Sequence, residues 1–468
     1  MSEFLKKIFL VEYMLPKEEL EGEIPSSKEA YSRAFQMAWP SMTESVLTSI
    51  IGSVDMMMVG SLGTAAISSV GLTNQPRFML LACIFALNAG VTAVVARRKG
   101  EGNVEAANRT LRQAVMVSFV ISLILSSLGY MFAEELMYFA GAKADTIVNS
   151  TAYFKWLCVG MVFNAMSMTI NAAQRGSGNT IISMTTNVTA NIVNVIFNYL
   201  LIGGNFGFPA LGVAGAAIAS DIGFFVSFLM SVRSILNKNS FVNIRNKISW
   251  KFDAFTVKSV YKVTSAAFIE QIFFRIGFFL NARLVAELGT LAFATYQIGM
   301  QIVNLSFTFA DGLSVAGSAL VGQSLGRIRG DLAKIYGRVL QRMAFIISAV
   351  LFVVFIVFRR NIVMLFDSSV DVVAITSNIM IIAAIVTPLQ TSQVVISGCL
   401  RGAGDTKFVA KTSMISTAII RPLATFLLCF PLGLQEYGPW FAYLIDQSCR
   451  LTMNFGRFKD GSWSKLKL

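Results

Sequence analysis

The chain contains about twelve stretches of mainly apolar residues that are each long enough to form a helix across a lipid bilayer. Such a helix needs about 20 apolar residues, and it satisfies its backbone polar groups internally. Hydrophobic residues make up 55% of the 468 residues and charged residues only 14%, which is more apolar surface than soluble cores can bury. The sequence therefore predicts an all-α integral membrane protein with spans at 34–59, 69–96, 111–132, 147–173, 182–204, 211–232, 259–285, 291–323, 341–358, 372–397, 408–432 and 438–456.

The distribution of lysine and arginine predicts the orientation of these spans. Most basic residues of the loops fall in the even-numbered connections, such as 97–112, 233–262 and 327–342. By the positive-inside rule these loops and both termini face the cytoplasm, as expected for a protein of the plasma (inner) membrane. The net charge of +13 follows from this topology, so it does not predict a nucleic-acid partner.

Histidine is absent from the sequence, and the five cysteines show no C-x-x-C spacing. A Ser-His-Asp triad, a histidine metal site and an imidazole proton relay are therefore excluded. Neither a disulfide framework nor a zinc site is predicted. We expect a protein that is not an enzyme and that holds no cofactor.

An internal repeat sets the predicted domain organisation. One offset of 226 residues relates 62–64 to 288–290, 93–100 to 319–326, 175–180 to 401–406 and 212–216 to 438–442. Because each copy has six spans, both copies enter the membrane in the same orientation. The predicted organisation is an N-terminal cytoplasmic tail at 1–30, an N-lobe at 31–236, a cytoplasmic linker at 237–258, a C-lobe at 259–458 and a basic C-terminal tail at 459–468. The apolar run in the first tail could also lie as a short helix on the membrane surface.

Repeats of this kind are typical of secondary transporters, in which the halves move relative to one another. A duplicated membrane scaffold without transport is the alternative from a different class. A channel is disfavoured because nothing resembles a selectivity filter.

Acidic residues inside the predicted spans are the main candidates for binding a coupling ion or a cationic substrate. A charge at the centre of a bilayer costs about 2.5 to 3.5 kcal/mol on insertion scales, so it needs a partner, a wet cavity or a function. Glu44 and Glu270 are repeat mates that the predicted spans place near mid-depth. The alternative for Glu270 is an ion pair with Arg275 or another buried cation that only fixes helix packing. The other candidate residues are Asp55, Asp311, Gln297 and Gln390, while Asp221 and Asp446 could equally satisfy backbone groups or an arginine.

A polar stripe runs along the predicted fifth span. Asn187, Asn191, Asn194 and Asn198 recur at steps of four, three and four residues, which places them on one helix face. Such a stripe either joins helices or lines a wet cavity. We favour the cavity, because joining two helices rarely requires four amides.

Six segments carry motifs that are fairly specific in combination. They are VDMMMVGSLG at 54–63, NIVNVIFNYLLIGG at 191–204, LGVAGAAIAS at 211–220, LVGQSLG at 320–326, SGCLRGAGDT at 397–406 and its first-half counterpart AAQRGSGNT at 172–180. With them the chain resembles the multidrug and toxic compound extrusion (MATE) family of cation-coupled transporters, NorM and DinF types included. The resemblance extends from about Ser27 to Phe458.

The resemblance implies two six-helix lobes that export small amphipathic organic cations, including multiple drugs, in exchange for Na⁺ or H⁺ by alternating access. It also implies a monomer surrounded by membrane lipid. A flippase or exporter of lipid-linked or polysaccharide precursors with the same lobed fold is the alternative within transport.

The resemblance assigns the first-span acid of the family to Asp55 and the seventh-span acid to Glu270. Two positions depart from the family pattern, since Gln390 and Asn198 stand where NorM-type and DinF-type members carry aspartates. With the tenth-span acid absent, a proton needs fewer ligands than a sodium ion. We therefore expect H⁺ coupling through Glu270 or Asp55, with a Na⁺ site near Glu270 and Gln390 as the alternative.

Overall fold

The computed structural model describes residues 9–245, 253–367 and 369–466, and this part of the chain folds into long helices without strands. The twelve long helices are α1 (Ser27–Gly60), α2 (Thr64–Gly100), α3 (Val104–Met131), α4 (Ile147–Gly176), α5 (Thr180–Gly203), α6 (Gly212–Leu236), α7 (Ala254–Ala286), α8 (Thr290–Gly326), α9 (Gly330–Val357), α10 (Val370–Gly402), α11 (Thr406–Cys429) and α12 (Gly438–Asp460). Eleven of them, α1 to α11, are long and apolar enough to cross a membrane. The predicted all-α membrane fold with twelve long helices is confirmed.

Positive backbone φ angles recur with the repeat. Gly63 and Gly289, which precede α2 and α8, have φ of 105° and 109°. Gly178 and Gly404, which follow α4 and α10, have φ of 92° and 88°. Residues other than glycine are disfavoured at positive φ angles, so glycine is strongly favoured at these four positions. The sequence repeat is therefore also a repeat of backbone conformation.

The contacts divide the chain into two compact units. One consists of Thr43–Thr264, and the other combines Met1–Met42 with Ser265–Leu468. We call them the N-terminal unit and the C-terminal unit. The predicted boundaries at 31–236 and 259–458 differ from this division, since the beginning of the chain belongs with the second half.

The N-terminal strap, residues 11–24, explains this difference. Val11 and Met14 are only 1% and 2% exposed and lie in one apolar cluster with Trp463 and helices of the C-terminal unit. Burial of such side chains contributes about 1.5 to 3 kcal/mol each. The described part of the predicted tail is thus packed against the C-terminal unit, and the buried side chains of the strap disfavour a helix on the membrane surface. Because both terminal segments pack into this cluster, they lie at the same end of the unit.

Polar contacts complete the attachment of the strap. Lys334 Nζ lies 2.8 Å from Glu19 Oε2, and the Gly330 N–H donates to Glu21 Oε2 at 2.6 Å. Arg329 donates to the Glu23 carbonyl oxygen at 2.8 Å. These contacts hold the strap against the start of α9.

Helix α11 contains a π-helical segment, Met414–Ile420. A π-turn accommodates one residue more than an α-turn, and such turns occur frequently at functional sites. The residues that follow it are therefore shifted by one position relative to the first repeat.

Candidate coupling and substrate sites

A row of hydrogen bonds joins residues 43–60 of α1 to helix α5 within the N-terminal unit. Each bonded pair is separated by 143 residues, so the two helices run parallel and in constant register. The pairs are Asn187 with Glu44, Asn191 with Thr48 at 3.1 Å and Asn198 with Asp55 at 2.7 Å.

The asparagine stripe therefore faces a polar stripe on α1. Amide side chains between apolar helices stabilise association because each bond replaces an unsatisfied polar group. The amide nitrogens of Asn187, Asn191 and Asn198 all donate to α1, which supports the helix-joining alternative for these three residues. Asn187 and Asn191 are only partly buried, so a cavity lining stays a prediction.

Asp55 lies beside two amide side chains of α5. Its partly buried carboxylate accepts a hydrogen bond from Asn198. In the orientation in which both ends of the Asn194 amide form hydrogen bonds, its nitrogen lies 2.9 Å from each Asp55 oxygen. Its oxygen then accepts from Ser220 Oγ at 3.1 Å. The Asn198 Oδ1 atom is buried without a hydrogen-bond partner among the described residues. The site thus combines one carboxylate, two amide donors and one spare acceptor.

A second carboxylate lies near this site. Both oxygens of Asp221 are buried and lack hydrogen-bond partners within the described ranges. Gly160 makes room for them, since a Cβ atom there would come within 1.9 Å of Asp221 Oδ1. Arg77, which stacks on Phe224 at 5.5 Å, is within electrostatic reach of both Asp55 and Asp221. Its charge can compensate one of the two acids.

Glu44 and Glu270 are both held by arginines, and the arginines are repeat mates as well. Glu270 forms an ion pair with Arg401 at 2.7 Å, and Arg175 lies 4.0 Å from Glu44. The LRG and QRG motifs therefore supply the counter-charges. The partner of Glu270 is not Arg275, but the alternative of an ion pair that fixes helix packing gains direct support.

Arginines at helix ends reach these two carboxylates. Arg175 and Arg401 are the second-last residues of α4 and α10. The acids themselves lie near the middle of their own helices, since Glu44 is residue 18 of the 34 in α1 and Glu270 is residue 17 of the 33 in α7. Their depth in a bilayer stays a prediction.

The C-terminal unit repeats the Asp55 position without an acid. Asn281, which lies 226 residues after Asp55, is fully buried and accepts a hydrogen bond from Thr425 at 2.6 Å. It also donates to Tyr296 Oη at 2.9 Å. The Asn281–Thr425 separation is 144 residues, and the extra residue is the one that the π-turn of α11 accommodates. The C-terminal unit therefore has an amide instead of a carboxylate at the position equivalent to Asp55.

A buried arginine and aspartate lie close together in the C-terminal unit. Arg421 is 1% exposed and lies 4.0 Å from Asp446. The Asp446 carboxylate accepts hydrogen bonds from Ser416 at 2.6 Å and from Gln447 at 3.1 Å. Asp446 thus satisfies polar groups around the π-turn, which is one of the two roles that the sequence left open for it.

A cavity of about 150 Å³ lies beside this pair. Gln390 lines it together with Arg421 and Arg450, whereas Glu270 does not. The Gln390 Oε1 atom accepts from Ser306 at 3.0 Å.

Glu270 and Gln390 therefore have different neighbours, and a shared sodium site stays a prediction. Gln390 and Arg401, the partner of Glu270, are separated on α10 by about 16 Å at 1.5 Å per residue. Two arginines beside Gln390 also disfavour a cation there. Asp311 is within electrostatic reach of Arg401, and Gln297 is exposed on α8.

Several residues of these sites are not among the candidates that the sequence predicts. The 226-residue offset from Asp55 identifies Asn281, and the same offset from Asn187 identifies Ser413, which lies 3.4 Å from Glu270. Arg175 and Arg401 stand inside the motifs at 172–180 and 397–406, but no spacing in the sequence predicts their pairing with Glu44 and Glu270. No local pattern marks Arg421 or Arg450 as cavity residues.

Comparison with known proteins gives consistent matches along most of the chain. The MatE family model matches residues 40–200 and 266–427. The chain is 26% identical to the probable multidrug resistance protein NorM of Thermotoga maritima, over 96% of this chain and 95% of that protein. It is 26% identical to the uncharacterized transporter YisQ of Bacillus subtilis, over 92% and 94% of the two chains. The crystal structure of the Vibrio cholerae transporter VcmN in its bent form superposes with a TM-score of 0.85 at 18% identity, covering 93% of this chain and 97% of that one.

Proposed function

Because the chain belongs to the MATE family of membrane transporters, we propose that it exports multiple drugs by cation-coupled antiport with alternating access. Its relative in Thermotoga maritima carries the description of a probable multidrug resistance protein. The proposed substrates are small amphipathic organic cations, and the proposed coupling ion is H⁺. The observation that carries the proposal is the Asp55 site.

The Asp55 site suits a proton that binds and leaves. The ionised carboxylate accepts from the amide nitrogens of Asn194 and Asn198. A protonated carboxyl group is also a donor, and the buried Asn198 Oδ1 atom is an acceptor without a partner among the described residues. Rotation of the Asn198 amide would let that oxygen accept from the protonated Asp55. Both protonation states can then be satisfied by the same side chains.

Sodium is the weaker alternative for this site. A bound Na⁺ requires several oxygen ligands, and hard cations prefer carboxylate and carbonyl oxygens. The Asn194 oxygen already accepts from Ser220 in the orientation that satisfies both residues. Among the side chains hydrogen-bonded around Asp55, one carboxylate and the Asn198 oxygen remain, which supports a proton more than a metal ion.

The test is ethidium transport in proteoliposomes under separately imposed H⁺ and Na⁺ gradients. Asp55→Asn keeps the size of the side chain and removes its charge, so we expect H⁺-driven transport to fall at least about tenfold while the protein still folds. Glu105→Gln is the matched control, because Glu105 forms an exposed pair with Arg109, and transport should be unchanged. Transport driven by Na⁺ at equal pH, and abolished when choline replaces Na⁺, would contradict proton coupling.

We also propose that both termini face the cytoplasm and that the protein resides in the plasma membrane. The packing of the strap and Trp463 in one cluster supports a common side for both terminal segments. Labelling of a single cysteine introduced at residue 18 in intact and permeabilised cells tests this orientation. Labelling in intact cells would overturn it.

A further inference from the structure

The cavity of the C-terminal unit has an unusual lining for an exporter of cations. Its aromatic side chains are those of Phe274, Phe278, Phe307 and Tyr443. Its charged side chains are Arg421 and Arg450, and no carboxylate belongs to the lining. The remaining polar lining consists of amides. A cation entering this cavity would meet two positive charges at short range.

The charge of Arg450 has no acidic partner within 4 Å in the described part of the chain, and Asp446 and Glu270 act on it only from a greater distance. Its guanidinium contacts Ser413 Oγ at 3.3 Å and stacks over the Phe274 ring at 5.3 Å. Arg450 is only 5% exposed, so bulk solvent screens its charge little. Buried charges are ordinarily paired or bound to a ligand.

The charge of Arg421 is only loosely compensated. Asp446 lies 4.0 Å away, beyond hydrogen-bond distance, and its oxygens are engaged by Ser416 and Gln447. Arg421 stacks on Tyr443 and Phe278 at 4.3 and 4.8 Å.

Unused hydrogen-bond donors accompany both charges. The Nε atoms of Arg421 and Arg450 are buried and have no hydrogen-bond partner among the residues described. Guanidinium groups bind carboxylates through paired N–H donors in a planar geometry. Two such groups beside one cavity therefore form a built site for an anion.

We propose that this cavity binds an aromatic acid, a planar ring that carries one carboxylate. A cavity of about 150 Å³ holds one benzene-sized ring, and this cavity has that volume. The ring packs among Phe274, Phe278 and Phe307, and the carboxylate accepts hydrogen bonds from Arg421 and Arg450. This inference rests on the proposed transport function and extends its substrates from cations to aromatic anions.

Calorimetric titration of the purified full-length protein with benzoate tests the inference. Benzyl alcohol and benzylamine serve as neutral and cationic probes of similar size. We expect benzoate to bind at least about tenfold more tightly than either, because charge-assisted hydrogen bonds are worth about 1.5 to 3 kcal/mol. Equal affinity for the three probes, or no benzoate binding, would overturn the proposal.

Substitutions of the lining residues test whether benzoate binds in this cavity. Arg450→Gln should weaken benzoate binding about 10- to 100-fold. Arg283→Gln, which changes an exposed arginine paired with Glu287 at 3.7 Å, should leave binding unchanged. Since loss of a buried arginine could impair folding, Gln390→Glu provides a second variant that adds a carboxylate to the lining. It should weaken benzoate binding and strengthen benzylamine binding, and unchanged affinities in a folded Gln390→Glu protein would overturn the proposal.

The failure of this inference is distinguishable from failure of the proposed function. Asp55→Asn should bind benzoate normally although its coupled transport is lost. Absence of benzoate binding in a wild-type protein that exports ethidium overturns the aromatic-acid site alone. Absence of ethidium transport in a wild-type protein that binds benzoate overturns the proposed export of cations alone.

Discussion

The ion pair between Glu270 and Arg401 predicts a specific pattern of stability in a double-mutant cycle. Removing one member of a fully buried pair costs about 3 to 5 kcal/mol. The Glu270 side chain is 5% exposed and that of Arg401 26%, so solvent screens part of the remaining charge, and we expect about 2 kcal/mol for Glu270→Gln or Arg401→Gln. The double variant leaves no unpaired charge and should recover at least about half of that loss.

The first repeat supplies the matched comparison. Arg175 lies 4.0 Å from Glu44, and Ser183 donates to the same carboxylate at 3.0 Å. A carboxylate with other donors depends less on its arginine, so Arg175→Gln should cost only about 1 kcal/mol. The order of stability is then wild type, Arg175→Gln, and lastly the single variants of the Glu270 pair.

Denaturation in detergent, followed by circular dichroism at a fixed pH, measures these differences, and ethidium transport is assayed on the same preparations. A double variant less stable than both single variants would refute the ion pair as a packing element. A double variant with restored stability but without transport would show that the Glu270 charge itself takes part in coupling, and this too would refute the reasoning.

Two further predictions concern Gly160 and Glu19. Gly160→Ala would place a Cβ atom 1.9 Å from Asp221 Oδ1 and should destabilise the protein by about 1 to 3 kcal/mol. The control is Gly71→Ala, where a Cβ atom meets nothing within 4 Å, and it should be neutral or slightly stabilising. Equal denaturation midpoints for the two variants would contradict the packing of Asp221 against Gly160. The hydrogen bond from Lys334 lowers the pKa of Glu19 below its ordinary value of 4.5, so this contact of the strap is complete above that pH and is lost as the pH falls through the lowered pKa. Glu19→Gln should remove the increase in hydrogen exchange at residues 11–24 on acidification, and the same pH profile in both proteins would exclude this contact as the cause.

The helices and the repeat could be predicted from the sequence because both depend on local patterns. Apolar length determines the spans, and the 226-residue offset aligns glycines that share a backbone conformation, such as Gly63 and Gly289. The step of the asparagine stripe correctly placed Asn187 to Asn198 on one face. It could not decide what that face contacts, because the partner helix α1 lies 143 residues earlier.

The remaining features depend on contacts that have no local signal. Arg401 reaches Glu270 across 131 residues, and an ion pair of this kind follows from helix packing rather than from spacing. The π-turn at Met414–Ile420 is an apolar segment whose sequence predicts an ordinary α-helix. The shift of one residue that makes Thr425 equivalent to Asn198 therefore could not be predicted. A cavity such as that beside Arg421 results from several helices at once.

The attachment of the strap sets an order of events during synthesis. Glu21 contacts the N–H of Gly330, which lies 309 residues later in the chain. At about 5 to 20 residues per second, a ribosome needs roughly 15 to 60 s to translate that interval. Val11 and Met14, which are buried in the finished protein, are synthesised long before the cluster residues between Leu313 and Trp463 that pack around them. We therefore expect lipid or a chaperone to cover their apolar surface until α9 is inserted.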